Sequence, residues 1–156
     1  MIGDKTRCGW CVGKPLYEKY HDEEWGLPVY DDQTQFEFLV LESAQAGLSW
    51  WTILQRREGY RKAFANFDYK KVAKFSQARI EELILDASII RNRAKIEATV
   101  NNAQRFMEVQ KEFGSFSNYI WSFVGGKPID TKAKTLKDVV ATSAESDALA
   151  KDMKKR

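Results

Sequence analysis

From residue 36 to 46 the chain reads Phe-Glu-Phe-Leu-Val-Leu-Glu-Ser-Ala-Gln-Ala, apolar on nearly every face. Asp31-Asp32-Gln33-Thr34 offer capping side chains ahead of it and Gly47 closes it, so the pattern predicts a central helix over 36–46. Ser49 caps a second helix running through Ile53 and Leu54 to Tyr60 and Phe64, with Arg56, Arg57, Glu58, Arg61 and Lys62 on its outer face. Ser76 opens a third, in which Ile80, Leu83, Ile84 and Ala87 recur at helical spacing while Arg79, Glu81 and Glu82 turn outward. After a short turn through Ser88, Ile89 and Ile90, an amphipathic run places Ile96, Val100, Ala103 and Met107 three or four positions apart. Segments 115–124 and 144–155 carry the same capping and periodicity, separated by the breaker Gly125-Gly126-Lys127-Pro128. Sustained two-residue alternation is scarce, and neither a repeat nor a linker divides the chain. The expected fold class is all-α: a single domain over 1–156, with an irregular N-terminal segment up to about Tyr30.

Composition supports a packed core. A chain of 156 residues and 18.0 kDa suits one domain burying about two thirds of its unfolded surface. Its 44% hydrophobic content supplies the core, and 30% charged residues with a mean hydropathy of −0.50 supply a solvated exterior. No apolar stretch approaches the ~20 residues of a membrane span. Met1-Ile2-Gly3-Asp4-Lys5 lacks the apolar centre of a secretory signal. The expectation is a cytoplasmic monomer with no membrane partner. A net charge of +3 and pI near 8.8 fall short of the bias that announces nucleic-acid binding by itself. Positive charge does gather at 55–57, 61–62, 91–95 and 151–156, where a solvated helix face is an equal reading.

The candidate chemistry begins with Glu42, a carboxylate set among Phe38, Leu39 and Ala46. There it costs free energy unless it receives hydrogen bonds or stays partly protonated. A structural acid bonded to backbone amides or to an arginine is the even alternative. Gln45 falls one turn further along the same face, and Ser49 lies close in sequence. Tyr17, Tyr20, Trp25 and Trp50 offer flat rings that stack on a base and attract a cationic one by roughly 0.5–2 kcal/mol per contact. Trp10, Trp121, Phe64 and Phe67 read instead as core. The turn and helix start at 86–95 present backbone N–H groups suited to a phosphate, or form an ordinary helix hairpin. Cys8, Cys11 and His21 have the spacing of part of a zinc site, yet a closed site needs four ligands and these are the chain's only Cys and His residues. A glycine-rich phosphate loop and a distinctive nucleophile motif are absent from the sequence.

Taken together, Arg7-Cys8-Gly9-Trp10, Pro15-Leu16-Tyr17, Tyr20-His21-Asp22-Glu23-Glu24-Trp25-Gly26, Leu41-Glu42, Gln45-Ala46-Gly47-Leu48-Ser49-Trp50, Ile89-Ile90-Arg91-Asn92-Arg93, Lys95-Ile96 and Trp121-Ser122-Phe123-Val124 resemble, in order and over nearly the whole chain, the DNA-3-methyladenine glycosylase I family. The resemblance implies a helix-hairpin-helix DNA glycosylase. Such an enzyme would flip out N3-methylated adenine from alkylated double-stranded DNA, cut its N-glycosidic bond and release 3-methyladenine. By position, Glu42 matches the family's base-contacting acid, and Tyr20 and Trp50 the rings that sandwich the base. Tyr17 and Trp25 match further aromatics of the pocket, and Gln45 joins this base-binding set. Ile89, Ile90, Arg91, Asn92, Arg93 and Lys95 match the hairpin that grips the DNA backbone. No lysine is placed as a Schiff-base nucleophile, so base removal without strand cleavage is expected. The resemblance also implies Zn2+ held by Cys8, His21 and two cysteines near a C-terminus; within 1–156 the site is incomplete, and the expectation is a domain without that zinc-binding tail. The rival is a non-catalytic module binding DNA or free modified bases.

Overall fold

The computed structural model describes residues 6–156; the expectation placed on Met1-Ile2-Gly3-Asp4-Lys5 lies outside them. The helices run α1 Pro15–Glu23, α2 Asp32–Gln45, α3 Trp50–Gln55, α4 Arg57–Ala63, α5 Tyr69–Val72, α6 Gln77–Leu85, α7 Arg93–Phe113, α8 Phe116–Ser122 and α9 Ala144–Met153, with short 3-10 turns at Ala65–Phe67 and Leu136–Asp138. Among the described residues there is no strand, and no helix is long and apolar enough to cross a membrane.

Local chemistry starts most of these helices. The side chain of Asp31 accepts from the Thr34 N–H, Ser49 from Thr52, Ser76 from Arg79, Asn92 from Lys95 and Ser115 from Asn118, each satisfying a donor that the helix itself leaves free. The buried side of α2, with Phe36, Val40, Leu41 and Ala44, faces Ile96, Val100, Ala103 and Phe106 of α7 in one apolar cluster. Phe106 stacks on Phe116 of α8 at 4.2 Å and meets Phe36 edge-on at 5.2 Å. Asp32 ties the same three helices together. Its carboxylate accepts from the N–H groups of Phe116 and Ser117 and from the Gln110 amide.

Three expectations need correction. The N-terminal segment is not irregular throughout: Pro15–Glu23 is helical, opened by Pro15 at the first helical position, where a missing N–H costs nothing, with no side-chain cap to mark it. The helix expected over 49–64 is two, because the backbone turns at Arg56 (φ −100°, ψ 0°), whose guanidinium donates to Ala87 O at 2.8 Å. That turn sets α4 against the loop between α6 and α7. Gly59 makes the approach possible, since a Cβ there would sit 2.4 Å from Ser88 O. Finally, Phe64 and Phe67 are core as expected, whereas Trp10 and Trp121 are only half-buried. Trp121 lies flat on the exposed Tyr30 at 4.6 Å, and its indole N–H donates to Val29 O.

Candidate active site

Helical spacing puts Tyr17 and Tyr20 on one face of α1, and Glu42 and Gln45 on one face of the last turn of α2. The Ala46-Gly47-Leu48-Ser49 bend, with Gly47 at φ +79°, turns the chain so that Trp50 opens α3 beside them. Tyr17, Tyr20, Glu42, Gln45 and Trp50 line one pocket of about 220 Å3, completed by Trp10 and Trp25. It is smaller than the roughly 300–1,000 Å3 of drug-sized sites and matches a single heteroaromatic ring system in scale. Five aromatic rings supply its π-faces, and the Glu42 carboxylate and Gln45 amide stand among them as polar groups able to orient what enters.

The rings support one another. Trp10 contacts Tyr17 at 4.7 Å and Trp25 at 5.3 Å, Tyr17 is backed by Trp51 at 5.4 Å, and His21 stacks behind Trp25 at 5.4 Å. Trp25, 41% exposed, forms the rim. Tyr20 and Trp50 meet directly at 5.4 Å and 50°. A ring held between two others needs about 3.5 Å on each side, so about 7 Å between their centres. The sandwich expected of Tyr20 and Trp50 therefore requires the pair to part; as placed they form a tilted wall.

Glu42 also differs from expectation. It is exposed on its pocket side rather than enclosed among Phe38, Leu39 and Ala46. Protein atoms still crowd the carboxyl enough that lost solvation raises its pKa above the ordinary carboxylate value. Tyr20 is buried; burial first and the neighbouring Glu42 charge second push its phenol up to about 12, so it is a neutral hydroxyl at physiological pH. Ser49 plays no part in the pocket chemistry, its hydroxyl being used to cap α3.

The hairpin between α6 and α7 divides the six residues expected to grip DNA. Ile89 is 2% exposed in the core, and Ile90 is half-buried with its N–H donating to Tyr60 Oη. Their side chains hold the turn in place and do not reach outward. The Asn92 side chain caps α7. Arg93 forks onto both oxygens of Glu81 at 2.8 and 2.7 Å, and the bond holds the Glu81 carboxyl down at about 2. Lys95 turns inward and donates to two backbone carbonyls of the α2 end. Arg91 is exposed and has no ion pair or side-chain hydrogen bond among the described residues.

Matched along its length, the methyladenine glycosylase family aligns with residues 10–156. The chain belongs to the methyladenine glycosylase family. It is 45% identical to DNA-3-methyladenine glycosylase 1 of Escherichia coli K12, over 96% of this chain and 80% of that one. It is 46% identical to the DNA-3-methyladenine glycosylase of Haemophilus influenzae, over 97% and 82%. It also superposes on 3-methyladenine DNA glycosylase I of Staphylococcus aureus with a TM-score of 0.91 at 40% identity, over 95% and 79%.

In this methyladenine glycosylase the residues present do not close a zinc site. His21 has both nitrogens occupied: Nε2 accepts from the Cys8 N–H at 3.4 Å, which leaves Nδ1–H to donate to Asp22, itself bonded to Arg7 at 2.8 Å. A carboxylate behind an imidazole is the support a metal-ligating histidine has. However, Cys11 is buried with its thiol donating to Cys8 O, and no group of three or more His, Cys, Asp or Glu among the described residues can hold a metal ion.

The sequence reading missed Trp10 as a pocket wall and Arg57 as a clamp. Trp10 had a signal in its place within the Arg7-Cys8-Gly9-Trp10 motif. Arg57 had none, because its partners Glu24 and Glu37 lie 33 and 20 residues away.

Proposed function

We infer that this methyladenine glycosylase removes 3-methyladenine from alkylated DNA by hydrolysing the N-glycosidic bond, leaving the strand intact. The observation that carries the reading is the convergence of Tyr17, Tyr20, Trp50, Glu42 and Gln45 on one pocket of base size. Methylation at N3 leaves adenine cationic, so its bond to the sugar is already weak and the base is a good leaving group. What remains is to extrude the nucleotide, hold a cation and stabilise charge. Extrusion costs less for a damaged base. Electron-rich faces of Tyr20, Trp50 and Tyr17 favour the positively charged ring over a neutral one. Glu42 accepts from the adenine edge and, as an anion, favours the positive charge developing on the sugar. Its raised pKa reflects the poor solvation that strengthens this interaction. Gln45 supplies an amide to fix the base's orientation.

No lysine lines the pocket among the described residues, and the Lys95 amine is held by carbonyls; both support a monofunctional enzyme without Schiff-base chemistry. Arg91 and the N–H groups opening α7 suit a DNA phosphate. A cytoplasmic address fits a DNA substrate.

The test is release of 3-methyladenine from methylated duplex by the wild type and by Glu42→Gln and Trp50→Ala. Loss in both variants is the expected result, and full release by both sinks the site. The non-catalytic alternative predicts binding of methylated duplex without abasic sites.

A further inference from the structure

Lys95 sits at the start of α7 beside the hairpin, and its ammonium reaches back to the end of α2. Nζ donates to Ala44 O at 2.8 Å and to Ala46 O at 2.7 Å, 51 and 49 residues distant along the chain. Those carbonyls belong to the last turn of α2 and to its C-cap, where a helix leaves C=O groups without partners and partial negative charge collects. Ala46 is also where the chain leaves the helix (φ −48°, ψ 117°), followed by Gly47 at φ +79°. On one side of this bend stand Glu42 and Gln45, and on the other Trp50. The Lys95 backbone is fixed in turn at the start of α7, its N–H donating to the Asn92 side chain at 3.1 Å.

We propose that Lys95 is a positioning residue that clamps the bend between α2 and α3 onto the start of α7, so that one side chain sets the spacing of Glu42 and Gln45 from Trp50 and joins the base pocket to the hairpin. The proposal rests on the glycosylase reading above and replaces a phosphate contact as the role of Lys95. The bend is where a small shift matters: displacing a reacting constellation by about 1 Å costs on the order of a hundredfold in rate.

The experiment compares wild type, Lys95→Met and Lys95→Arg in three measurements. They are single-turnover release of 3-methyladenine from methylated duplex, affinity for free 3-methyladenine, and the salt dependence of binding to undamaged duplex. Lys95→Met is expected to release base roughly ten- to a hundredfold more slowly and to bind free base more weakly, with the salt slope of duplex binding unchanged. Lys95→Arg, which keeps a donor cation at that reach, is expected to recover part of both losses. A salt slope shallower by about 0.9, the mark of one lost phosphate contact, with free-base affinity intact, overturns the proposal, as does a folded Lys95→Met with wild-type release and base affinity. If Lys95→Met does not fold, Lys95→Gln retains an N–H donor and decides on the same readings. Failure of the wild type to release base from methylated duplex would instead strike the glycosylase reading, and the free-base comparison would still judge the clamp.

Discussion

Glu42 stands open to the pocket yet surrounded closely enough that lost solvation raises its pKa. A raised acid pKa means the folded state holds more protons than the unfolded state between the ordinary carboxylate range and the raised value. Stability therefore falls as pH rises through that window, and at neutral pH the folded protein carries the full penalty of the charge. Glu42→Gln removes the penalty. Thermal melts should show the variant with a higher Tm than wild type at pH 7, and the difference should vanish below about pH 4, while base release drops about a hundredfold or more. Equal melting at pH 7 would mean the carboxylate is not strained by its site. Trp10 tests the pocket wall that the motif alone did not identify. Loss of its ring removes a face that touches Tyr17 and Trp25, and a base-stacking contact is worth roughly 1–3 kcal/mol. Titration of Trp10→Ala with free 3-methyladenine should show about tenfold weaker binding; an unchanged affinity would return Trp10 to a purely structural role.

At the scale of the element, α4 and the α6–α7 hairpin touch through a residue with no side chain. Gly59 has an ordinary helical backbone, so alanine is not excluded by conformation. It is excluded by space, because the added Cβ meets Ser88 O at 2.4 Å and Ser88 Cβ at 2.8 Å. The nearest atom is backbone, so the hairpin itself must move. Gly59→Ala should lower stability by about 1–3 kcal/mol and weaken duplex binding, read by denaturant melts and a binding titration; a wild-type melt would show that the two elements slide apart freely. The helices with a side-chain cap and an apolar period were legible in the sequence: Asp31, Ser49, Ser76 and Ser115 mark starts that the structure has, whereas the Asn92 cap of α7 went unread. What was not legible lacks local cause. Pro15–Glu23 has no side-chain cap and owes its place to rings packed against α3. The break at Arg56 comes with a carbonyl 31 residues away. The hairpin's basic residues look alike in sequence, and only their distant partners, Glu81 for Arg93 and the α2 carbonyls for Lys95, decide which is occupied.

Across the whole molecule, the pocket is built between two segments of unequal burial. Glu42, Gln45 and Trp50 belong to helices anchored in the core, whereas Trp10, Tyr17, Tyr20 and Trp25 come from residues 10–25, of which only Cys11 and Tyr20 are buried. The polar anchor between the two is Arg57. Its guanidinium, 11% exposed, donates to Glu24 at 2.7 Å and to Glu37 at 2.6 Å and lies over Phe38. Burial alone would lower its pKa, but the bonds to Glu24 and Glu37 outweigh burial and raise it, so it stays charged. Removing one member of a buried ion pair leaves the other charge uncompensated and costs about 3–5 kcal/mol, less here because Glu24 is 32% exposed and Arg61 still pairs Glu37. Arg57→Met should therefore lower the Tm, speed amide exchange over Pro15–Glu23 and weaken affinity for free 3-methyladenine. Adding Glu37→Gln removes the half-buried carboxylate, which Arg61 alone still pairs at 3.1 Å, and should restore part of the Tm. It should not restore base affinity, because Glu24, adjacent to Trp25, remains without its anchor. Recovery of both properties in the double variant would mean that Arg57 serves only to neutralise Glu37, and that the aromatic segment is held by its own rings.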